Sequence, residues 1–258
     1  VEEARSLIRQ GDMFQCVLSQ RFSAEYSGKP LDYYRNLRVT NPSNYLYFYD
    51  FGDYQIIGAS PESLVSVKQG QVTTNPIAGT RPRGKDERED KALAKELLAD
   101  EKEVAEHRML VDLGRNDIGK IAQNNSVEIT KYMEVEYFRY VMHLTSVVRG
   151  QLLPQLTAMD ALKSTLPAGT VSGAPKIRAM KRIYELEQEK RGVYAGAIGY
   201  LSATGDMDFA IAIRTMVLKN GRAYVQAGAG IVYDSIPANE YQETINKAKS
   251  MTKIGEMQ

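Results

Sequence analysis

The chain contains 258 residues, enough for one large domain or two small ones with a sizeable core. Its 33 lysine and arginine residues nearly balance its 32 aspartate and glutamate residues, which argues against a strongly basic nucleic-acid or membrane-surface protein and favours a small-molecule site. The single cysteine, Cys16, excludes an internal disulfide framework, and the lack of a long apolar run or a signal-peptide pattern predicts a cytoplasmic protein.

The first third of the chain is predicted to be mostly antiparallel strands. An amphipathic helix over residues 2–10 ends at Gly11, a residue that favours a helix C-terminus. Turn residues then separate runs rich in aromatic and β-branched side chains. The predicted strands cover residues 14–22, 45–51, 54–59, 64–67 and 71–74.

The middle of the chain is dense in charge and in strong helix formers. We predict a helical region that starts near residue 85 and stops near Gly114. Strands over residues 127–136 and 141–148 follow, and then a short helix over residues 157–164. A long helix is predicted over residues 172–190, with Pro175 inside its first turn, where a missing N–H group is harmless.

The last part of the chain is predicted to be a β-meander followed by a helix. The strands cover residues 195–203, 209–219 and 223–227, and the helix begins at Ser235 and Pro237 and runs to about Lys253. The fold class is therefore α+β, with large antiparallel sheets and helices on the outside, in one domain over residues 1–258. Because Val1 stands where an initiator methionine would, we expect the chain to lack an N-terminal segment of a longer protein.

Two E-x-x-E motifs are the candidate metal ligands. Glu103 and Glu106 share a helical stripe with His107, a position where a core-facing helix would carry apolar residues. Glu240 and Glu243 repeat the motif in the last helix. Each motif alone is typical of a solvated helix face, but four carboxylates on two facing helices would suit Mg²⁺.

Two glycine-containing segments could bind anions. Residues 79–85, GTRPRGK, match the first seven positions of a phosphate-binding loop, but Asp86 replaces the expected Ser or Thr, and Pro82 removes a backbone donor. Residues 228–230, GAG, lack the third glycine of a dinucleotide fingerprint. Their small size would still let backbone N–H groups approach an anion near a helix N-terminus.

Two single residues are candidates for proton transfer. Glu62 follows Pro61 beside apolar residues, where desolvation would raise the pKa of its carboxyl group and suit it to donate a proton. The alternative is an exposed glutamate in a turn. His143 lies in an apolar β-type run, where a histidine is more often a hydrogen-bonded core residue than a catalyst.

Taken together, these motifs resemble the chorismate-utilising enzymes over essentially the whole chain. The resemblance is carried, in order, by the segments FQCVLSQRF, ASPESL, NPIAGTRPRG, EVAEHRMLVDLGRNDIG, PAGTVSGAPK, AGAGIV and NEYQET. It implies that Glu103, Glu106, Glu240 and Glu243 bind Mg²⁺ as the cofactor. It also implies that Glu62 protonates the departing C4 hydroxyl of chorismate.

The resemblance implies a set of substrate contacts as well. Thr170 and His143 would line the pocket, and His143 would act in pyruvate elimination. The residues that match substrate-binding positions are Gln15, Ala78, Gly79, Thr80, Tyr194, Arg214, Gly228, Ala229, Gly230 and Lys247. Arginine, lysine and backbone N–H groups are the donors that carboxylates prefer.

Two positions distinguish the branches of this family. Members that add water have lysine where this chain has Gln15, because water needs a base and ammonia does not. Members that form a covalent adduct have lysine where this chain has Ala78. The implied activity is therefore amination of chorismate to anthranilate, with ammonia supplied by a separate glutamine amidotransferase subunit. The alternatives are aminodeoxychorismate or isochorismate synthesis and, in another class, a nucleotide-binding regulatory module.

Overall fold

A computed structural model of the chain describes residues 1–252. The chain divides into two compact units, the first formed by residues 1–62, 167–198 and 210–258 and the second by residues 63–166 and 199–209. The prediction of one domain over residues 1–258 stays a prediction, and its last residues, including Lys253, lie outside the described part. Within residues 1–252, no helix is both long and apolar enough to cross a membrane.

The described residues form eight helices and thirteen strands. In chain order they are α1 (Glu2–Arg9), β1 (Gln15–Glu25), α2 (Pro30–Thr40), β2 (Tyr45–Asp50), β3 (Tyr54–Ser60), β4 (Ser63–Lys68), β5 (Gln71–Thr74), β6 (Ile77–Pro82), α3 (Glu87–Ala99), α4 (Glu101–Gly119), β7 (Glu128–Tyr137), β8 (Val141–Gln151), α5 (Ala158–Thr165), α6 (Gly169–Ser172), β9 (Gly173–Ala174), α7 (Lys176–Leu186), β10 (Ala197–Leu201), β11 (Met207–Ile211), β12 (Thr215–Lys219), β13 (Arg222–Ile231) and α8 (Pro237–Thr252). This is the α+β class predicted from the sequence.

The first unit is built on a six-stranded antiparallel sheet with the order β2-β3-β12-β13-β1-β9. Helix α8 packs on strand β13 through Thr244, Ala248 and Met251, which recur on one helical face and are buried. The Tyr33 hydroxyl on α2 donates a 2.6 Å hydrogen bond to the Met251 carbonyl, and Gln20 on β1 donates one to the Thr244 hydroxyl. These contacts hold α8 in one register on the sheet.

The second unit contains the seven-stranded sheet, with the order β10-β11-β4-β5-β8-β6 and with β7 also paired to β8. Helices α3 and α4 lie against β6 and β8. Their shared core contains Ala94, Leu97, Met142 and Leu144, all buried. This packing places one face of α4 beside strands β6 and β8.

Several predicted hairpins and the last helix are confirmed, but two helix predictions are wrong. The predicted helix over residues 172–190 is three elements, and Pro175 is the N-cap of α7 rather than a residue of its first turn. The predicted helix is interrupted at Gly173, whose φ of +133° lies in the left-handed region. The helical region predicted to stop near Gly114 instead breaks at Asp100 and continues to Gly119. An added Cβ at Gly114 would lie 3.1 Å from the Thr74 hydroxyl, so close packing explains this glycine.

The predicted meander is also divided differently. The run over residues 209–219 is broken at Arg214, whose φ is +48°, so β11 belongs to one sheet and β12 to the other. Strand β13 continues past its predicted end at residue 227 and includes residues 228–230, and Val17 on β1 pairs with Gly230. Helix α2 and strand β6 were not predicted, because their short apolar patterns are weak without their tertiary partners.

Candidate active site

The backbone around Glu62 is fixed at the junction between strands β3 and β4. The Glu62 carbonyl accepts a 3.0 Å hydrogen bond from the Ile211 N–H, and the Ser60 hydroxyl donates a 2.7 Å bond to the Ile211 carbonyl. Ser60 is fully buried. The backbone of Glu62 is therefore held in place by hydrogen bonds. A fixed backbone is needed where a side chain must be positioned accurately.

The Glu62 carboxyl group has the electrostatics of an acid that works near neutral pH. The residue as a whole is partly exposed, but burial of its carboxyl group raises the pKa to about 7. The Thr170 hydroxyl donates a 2.9 Å hydrogen bond to Glu62 Oε1, which lowers the pKa, as does the positive charge of Lys247. Of these effects burial is the largest, so the structure favours the acid over the exposed turn glutamate.

Tyr194, Gly228 and Lys247 meet beside the middle of strand β13. An added Cβ at Gly228 would lie 2.5 Å from the Tyr194 hydroxyl oxygen, so only glycine leaves room for that ring. Lys247 on α8 donates a 3.0 Å hydrogen bond to the Gly228 carbonyl and forms a 2.6 Å ion pair with Glu243. Burial raises the pKa of the Tyr194 hydroxyl to about 12, so it stays a neutral donor.

Gln15 and Gly230 approach each other across the pair of strands β1 and β13. Gln15 is buried, and its Nε2 atom lies 3.0 Å from the point where a Cβ on Gly230 would be. Ala229, between the two glycines, is buried. The small residues of this segment therefore leave room for neighbouring side chains, and the anion contact predicted for them stays a prediction.

Arg214 is a half-buried cation in strained backbone. Its φ of +48° is rare for a residue with a side chain, and such strain is common at functional sites. Its Nη1 atom donates a 3.0 Å hydrogen bond to the Ser250 hydroxyl, one turn beyond Lys247 on α8. Burial lowers the pKa of the guanidinium group, an effect that a bound carboxylate would oppose.

In the second unit, the predicted residues Ala78, Gly79, Thr80 and His143 lie together on strands β6 and β8. Gly79 forms a bulge opposite β8 and has a left-handed φ of +69°. His143 Nδ1 donates a 2.8 Å hydrogen bond to the Gly79 carbonyl, and the Thr80 hydroxyl lies 3.1 Å from the same nitrogen. A carbonyl only accepts, so Nδ1 carries the proton, and Nε2 of the neutral ring is an acceptor.

The acidic pair Glu103 and Glu106 lies in the first turns of α4, close to Gly79. Asp100 caps this helix by accepting the Glu103 N–H, and it also accepts a 2.8 Å bond from Arg81 on β6. An added Cβ at Gly79 would lie 3.3 Å from Glu103 Oε2. Desolvation raises the pKa of Glu103, and the neighbouring charges of Glu106 and Asp100 raise it further.

His107 is separate from this acidic pair. It is fully buried, and its Nε2 atom lies 2.6 Å from the Ser146 hydroxyl, which also accepts the Met133 N–H. Desolvation lowers the pKa of the ring to about 4, so the ring is neutral near pH 7. His107 is thus a buried core residue whose Nε2 atom is engaged by Ser146.

The two acidic pairs offer the donor chemistry that Mg²⁺ prefers. Glu240 and Glu243 lie in the first two turns of α8, and Glu243 is exposed. Within residues 1–252, no three His, Cys, Asp or Glu side chains converge on a point that could hold a metal ion. Mg²⁺, however, usually takes one or two protein carboxylates and completes its shell with water and substrate oxygens. Desolvation and the neighbouring charges of Glu106 and Asp100 raise the pKa of Glu103, and a bound cation would oppose that shift. The donor chemistry of Glu103 and Glu106 therefore fits Mg²⁺.

The segment 79–85 does not form a phosphate cradle. Residues up to Pro82 belong to strand β6, whereas a phosphate-binding loop leads directly into a helix. The Gly84 N–H donates a 2.7 Å bond to Asp90, and the Lys85 N–H donates one of the same length to Glu89. The backbone donors that would bind phosphate are therefore occupied by carboxylates.

Sequence reasoning missed the residues that support the site. Arg81 and Asp100 join strand β6 to helix α4, and Arg191 with Glu187 borders Tyr194. Two of the four acceptor atoms of Arg191 are backbone carbonyls, which every sequence contains, so no residue pattern could identify them. The i,i+4 spacing of Glu187 and Arg191 was an available signal for the ion pair.

The fold is of the α+β class, and the first unit brings a carboxyl group with a raised pKa, Glu62, together with two cations, Arg214 and Lys247, of the kind that suits a carboxylate-bearing ligand. Comparison with known families matches residues 1–253 to the family described as "chorismate binding enzyme". The chain therefore belongs to the chorismate-binding enzymes.

Individual relatives agree with this assignment. The chain is 63% identical over 256 residues to anthranilate synthase component 1 of Lactococcus lactis, covering 99% of this chain and 56% of the relative. A crystal structure of anthranilate synthase component I from Streptococcus pneumoniae is 83% identical, with a TM-score of 0.92 over 97% of this chain and 56% of that one. The menaquinone-specific isochorismate synthase of Escherichia coli is 26% identical, with a TM-score of 0.89 over 99% of this chain and 59% of that one. The chain thus spans about half the length of the curated relatives it matches.

Proposed function

We propose that the chain is the aminating part of an anthranilate synthase, a lyase of tryptophan biosynthesis that converts chorismate and ammonia to anthranilate and pyruvate. The observation that carries this proposal is Glu62, a carboxyl group whose pKa burial raises to about 7 and whose position Ser60 and Thr170 fix. The similarity to two anthranilate synthase components supports the choice of reaction.

In the first stage, ammonia attacks C2 of chorismate and the C4 hydroxyl departs. Protonated Glu62 donates its proton to that hydroxyl, which leaves as water. The attacking ammonia loses one proton as it becomes an amine, so the proton balance of the stage is closed. Thr170 orients the Glu62 carboxyl group for this transfer through their hydrogen bond.

In the second stage, the C2 proton is lost and the C3–O bond to the enolpyruvyl group breaks, which leaves an aromatic ring. The departing enolate takes up one proton at its methylene carbon and becomes pyruvate. His143 is the candidate to take the C2 proton, because its Nδ1–H is held by the Gly79 carbonyl and its Nε2 is an acceptor. Aromatisation makes this stage strongly favourable.

The cations and donors of the first unit suit a substrate with two carboxylates. Arg214 and Lys247 offer positive charge, and Tyr194 offers a neutral hydroxyl. The remaining proposed contacts are the small residues Gly228, Ala229 and Gly230 of β13 and Ala78, Gly79 and Thr80 of β6.

We propose that Glu103, Glu106, Glu240 and Glu243 hold Mg²⁺. When bound, the cation would neutralise a substrate carboxylate in an acidic environment and so orient the ring. The acidic pair on α4 supports this proposal, because desolvation and then the charges of Glu106 and Asp100 raise the pKa of Glu103, and a bound cation would oppose that shift.

An amine nucleophile is supported by two positions. Gln15 is a neutral, buried amide where a lysine would supply a base, and Ala78 on β6 has no nucleophile for a covalent adduct. We propose that a separate glutamine amidotransferase subunit supplies the ammonia. The single cysteine, Cys16, is a free thiol, which suits the reducing cytoplasm as the proposed location.

Product identification tests the proposed reaction. The purified protein is incubated with chorismate, Mg²⁺ and ammonium, and products are separated by chromatography with fluorescence detection. We expect anthranilate and pyruvate in equal amounts. Isochorismate or aminodeoxychorismate as the main product would reject the assignment in favour of the corresponding branch of the family.

A further inference from the structure

Arg191 makes an unusually complete set of contacts in the first unit. Its Nη1 atom donates a 2.6 Å hydrogen bond to the Val171 carbonyl, and its Nη2 atom donates one of 2.6 Å to the Val17 carbonyl. Its Nε and Nη2 atoms form a two-pronged ion pair with Glu187, at 2.8 and 2.6 Å. Such a fork is rigid, because the guanidinium group is planar.

Glu187 extends this network to strand β1. Its Oε1 atom accepts the backbone N–H and the hydroxyl of Ser19, both at 2.8 Å. Glu187 is also the C-cap of α7, where its N–H donates to the Ile183 carbonyl. Side-chain exposure is 17% for Arg191 and 9% for Glu187, so water competes little for this ion pair.

The network ends on two residues of the proposed active site. Val171 directly follows Thr170, whose hydroxyl holds the Glu62 carboxyl group. The Arg191 guanidinium lies 5.4 Å from the centre of the Tyr194 ring, and the Tyr194 N–H donates to the Arg191 carbonyl. The Arg191 side chain therefore contacts both the Tyr194 ring and the short helix α6, a single turn that carries Thr170 and is called the Thr170 turn below.

We propose that Arg191 is a positioning residue for the reaction: it holds the Thr170 turn and the Tyr194 ring at fixed places relative to strand β1. This inference rests on the proposed function, because it concerns the same Glu62 and Tyr194. Arg191 acts through these residues and does not itself touch the reacting atoms. Its separate contribution is to keep the Thr170 hydroxyl within hydrogen-bond distance of Glu62.

The proposed role of Arg191 can be measured as a change in the pKa of Glu62. The Thr170 hydrogen bond lowers the pKa of Glu62, whereas burial raises it. Lysine keeps the positive charge of Arg191 but has no planar fork, so it cannot hold Val17, Val171 and Glu187 together. In Arg191→Lys the Thr170 turn should move, its bond to Glu62 should weaken, and the pKa of Glu62 should rise.

The test compares Arg191→Lys with Arg182→Lys. Arg182 is also an ion-paired arginine, but it lies on α7 and binds Asp12 and Glu185, away from Thr170 and Tyr194. For each variant, kcat, KM and the pH profile of kcat/KM are measured at constant free ammonia, together with Tm. We expect kcat of Arg191→Lys to fall about 10- to 100-fold, as small displacements of reacting groups do, and its alkaline limb to move to higher pH.

A merely structural role would lower Tm and leave the pH profile in place. The proposal is overturned if the alkaline limb of folded Arg191→Lys coincides with that of the unmodified protein, or if Arg182→Lys moves it equally. Retention of the limb shift in a Thr170→Val background would also overturn it, because no Thr170 hydrogen bond would remain to be weakened.

A second readout separates this inference from the proposed reaction. The Glu62 carboxyl group is titrated by NMR in ¹³C-glutamate-labelled protein, with its signal assigned by loss in Glu62→Gln. A higher pKa in Arg191→Lys supports the inference even if the protein forms no anthranilate, which would reject the proposed function alone. Anthranilate formation with an unchanged Glu62 pKa would support the proposed function and reject the role of Arg191.

Discussion

The Thr170 hydroxyl donates a 2.9 Å hydrogen bond to the Glu62 carboxyl group across 108 positions of sequence. The bond stabilises the charged form of Glu62, whereas burial stabilises the protonated form. Burial is the larger effect, and the pKa settles at about 7. The balance leaves a carboxyl group that can give up a proton near neutral pH and be reprotonated in each turnover.

Replacement of Glu62 by glutamine should remove the general acid. We expect kcat to fall by about 10²- to 10⁴-fold, the usual contribution of a positioned acid, while the fold is kept because glutamine still accepts from Thr170. Initial rates of anthranilate formation and a thermal melt measure the two effects. Glu25→Gln, at the exposed end of β1, is the control and should keep full activity. Near-normal turnover of Glu62→Gln would contradict the acid role.

Replacement of Thr170 by valine should move the pH profile. Glu62 acts only when protonated, so activity is present below its folded-state pKa and is lost as the pH rises through about 7. Loss of the hydrogen bond raises that pKa, and activity should therefore persist to higher pH. Thr170→Ser keeps the hydroxyl, so the alkaline limb of its pH profile should stay where it is in the unmodified protein. An alkaline limb that moves to lower pH in Thr170→Val would refute this account.

Replacement of a proposed metal ligand should weaken the response to Mg²⁺. For Glu103→Gln, Glu106→Gln and Glu240→Gln we expect the half-saturating Mg²⁺ concentration to rise by about 10-fold or more, since even outer-shell partners of metals have effects of that size. Mg²⁺ titrations at saturating chorismate measure it. Glu101→Gln is the matched control, because Glu101 is an exposed residue of the same helix. Unchanged titrations in all three variants would reject the ligand assignment.

Replacement of Gly79 by alanine should destabilise the second unit. The φ of +69° is unfavourable for any residue with a Cβ, and that Cβ would lie 3.0 Å from Leu97 and 3.3 Å from Glu103. We expect the free energy of unfolding in urea to fall by about 1–2 kcal/mol from the backbone alone. Gly119→Ala, where nothing lies within 4 Å of the added Cβ, should be neutral or stabilising. Equal effects of the two changes would contradict the packing argument.

His107 should make the protein less stable in mild acid. Desolvation lowers its pKa from 6.5 to about 4, so its contribution to stability is complete above pH 6.5 and is lost as the pH falls towards 4. In that window the difference in unfolding free energy between the unmodified protein and His107→Gln should change by up to about 1.4 kcal/mol per pH unit. Parallel curves for the two proteins would show that His107 does not titrate in this way.

Much of the fold could be predicted from local patterns. Turn residues between apolar runs marked the hairpins of β2 with β3 and of β4 with β5, and a proline at the first position marked α8. Predictions failed where one run of residues was assigned to a single helix or strand although the backbone breaks inside it. The apolar run through Arg214 is broken by its left-handed backbone, and the run through Pro175 is divided by Gly173.

The sequence by itself determined the chemistry that is available: the spacing of the two acidic pairs, the neutral Gln15 and Ala78, and the motifs of the chorismate-binding family. Only the tertiary structure decided how the groups behave. The pKa of Glu62 depends on burial and on Thr170, the fit of Tyr194 depends on the missing side chain of Gly228, and the network of Arg191 ends on backbone carbonyls. Desolvation and contacts between distant residues arise from packing, and one-dimensional spacing does not carry that information.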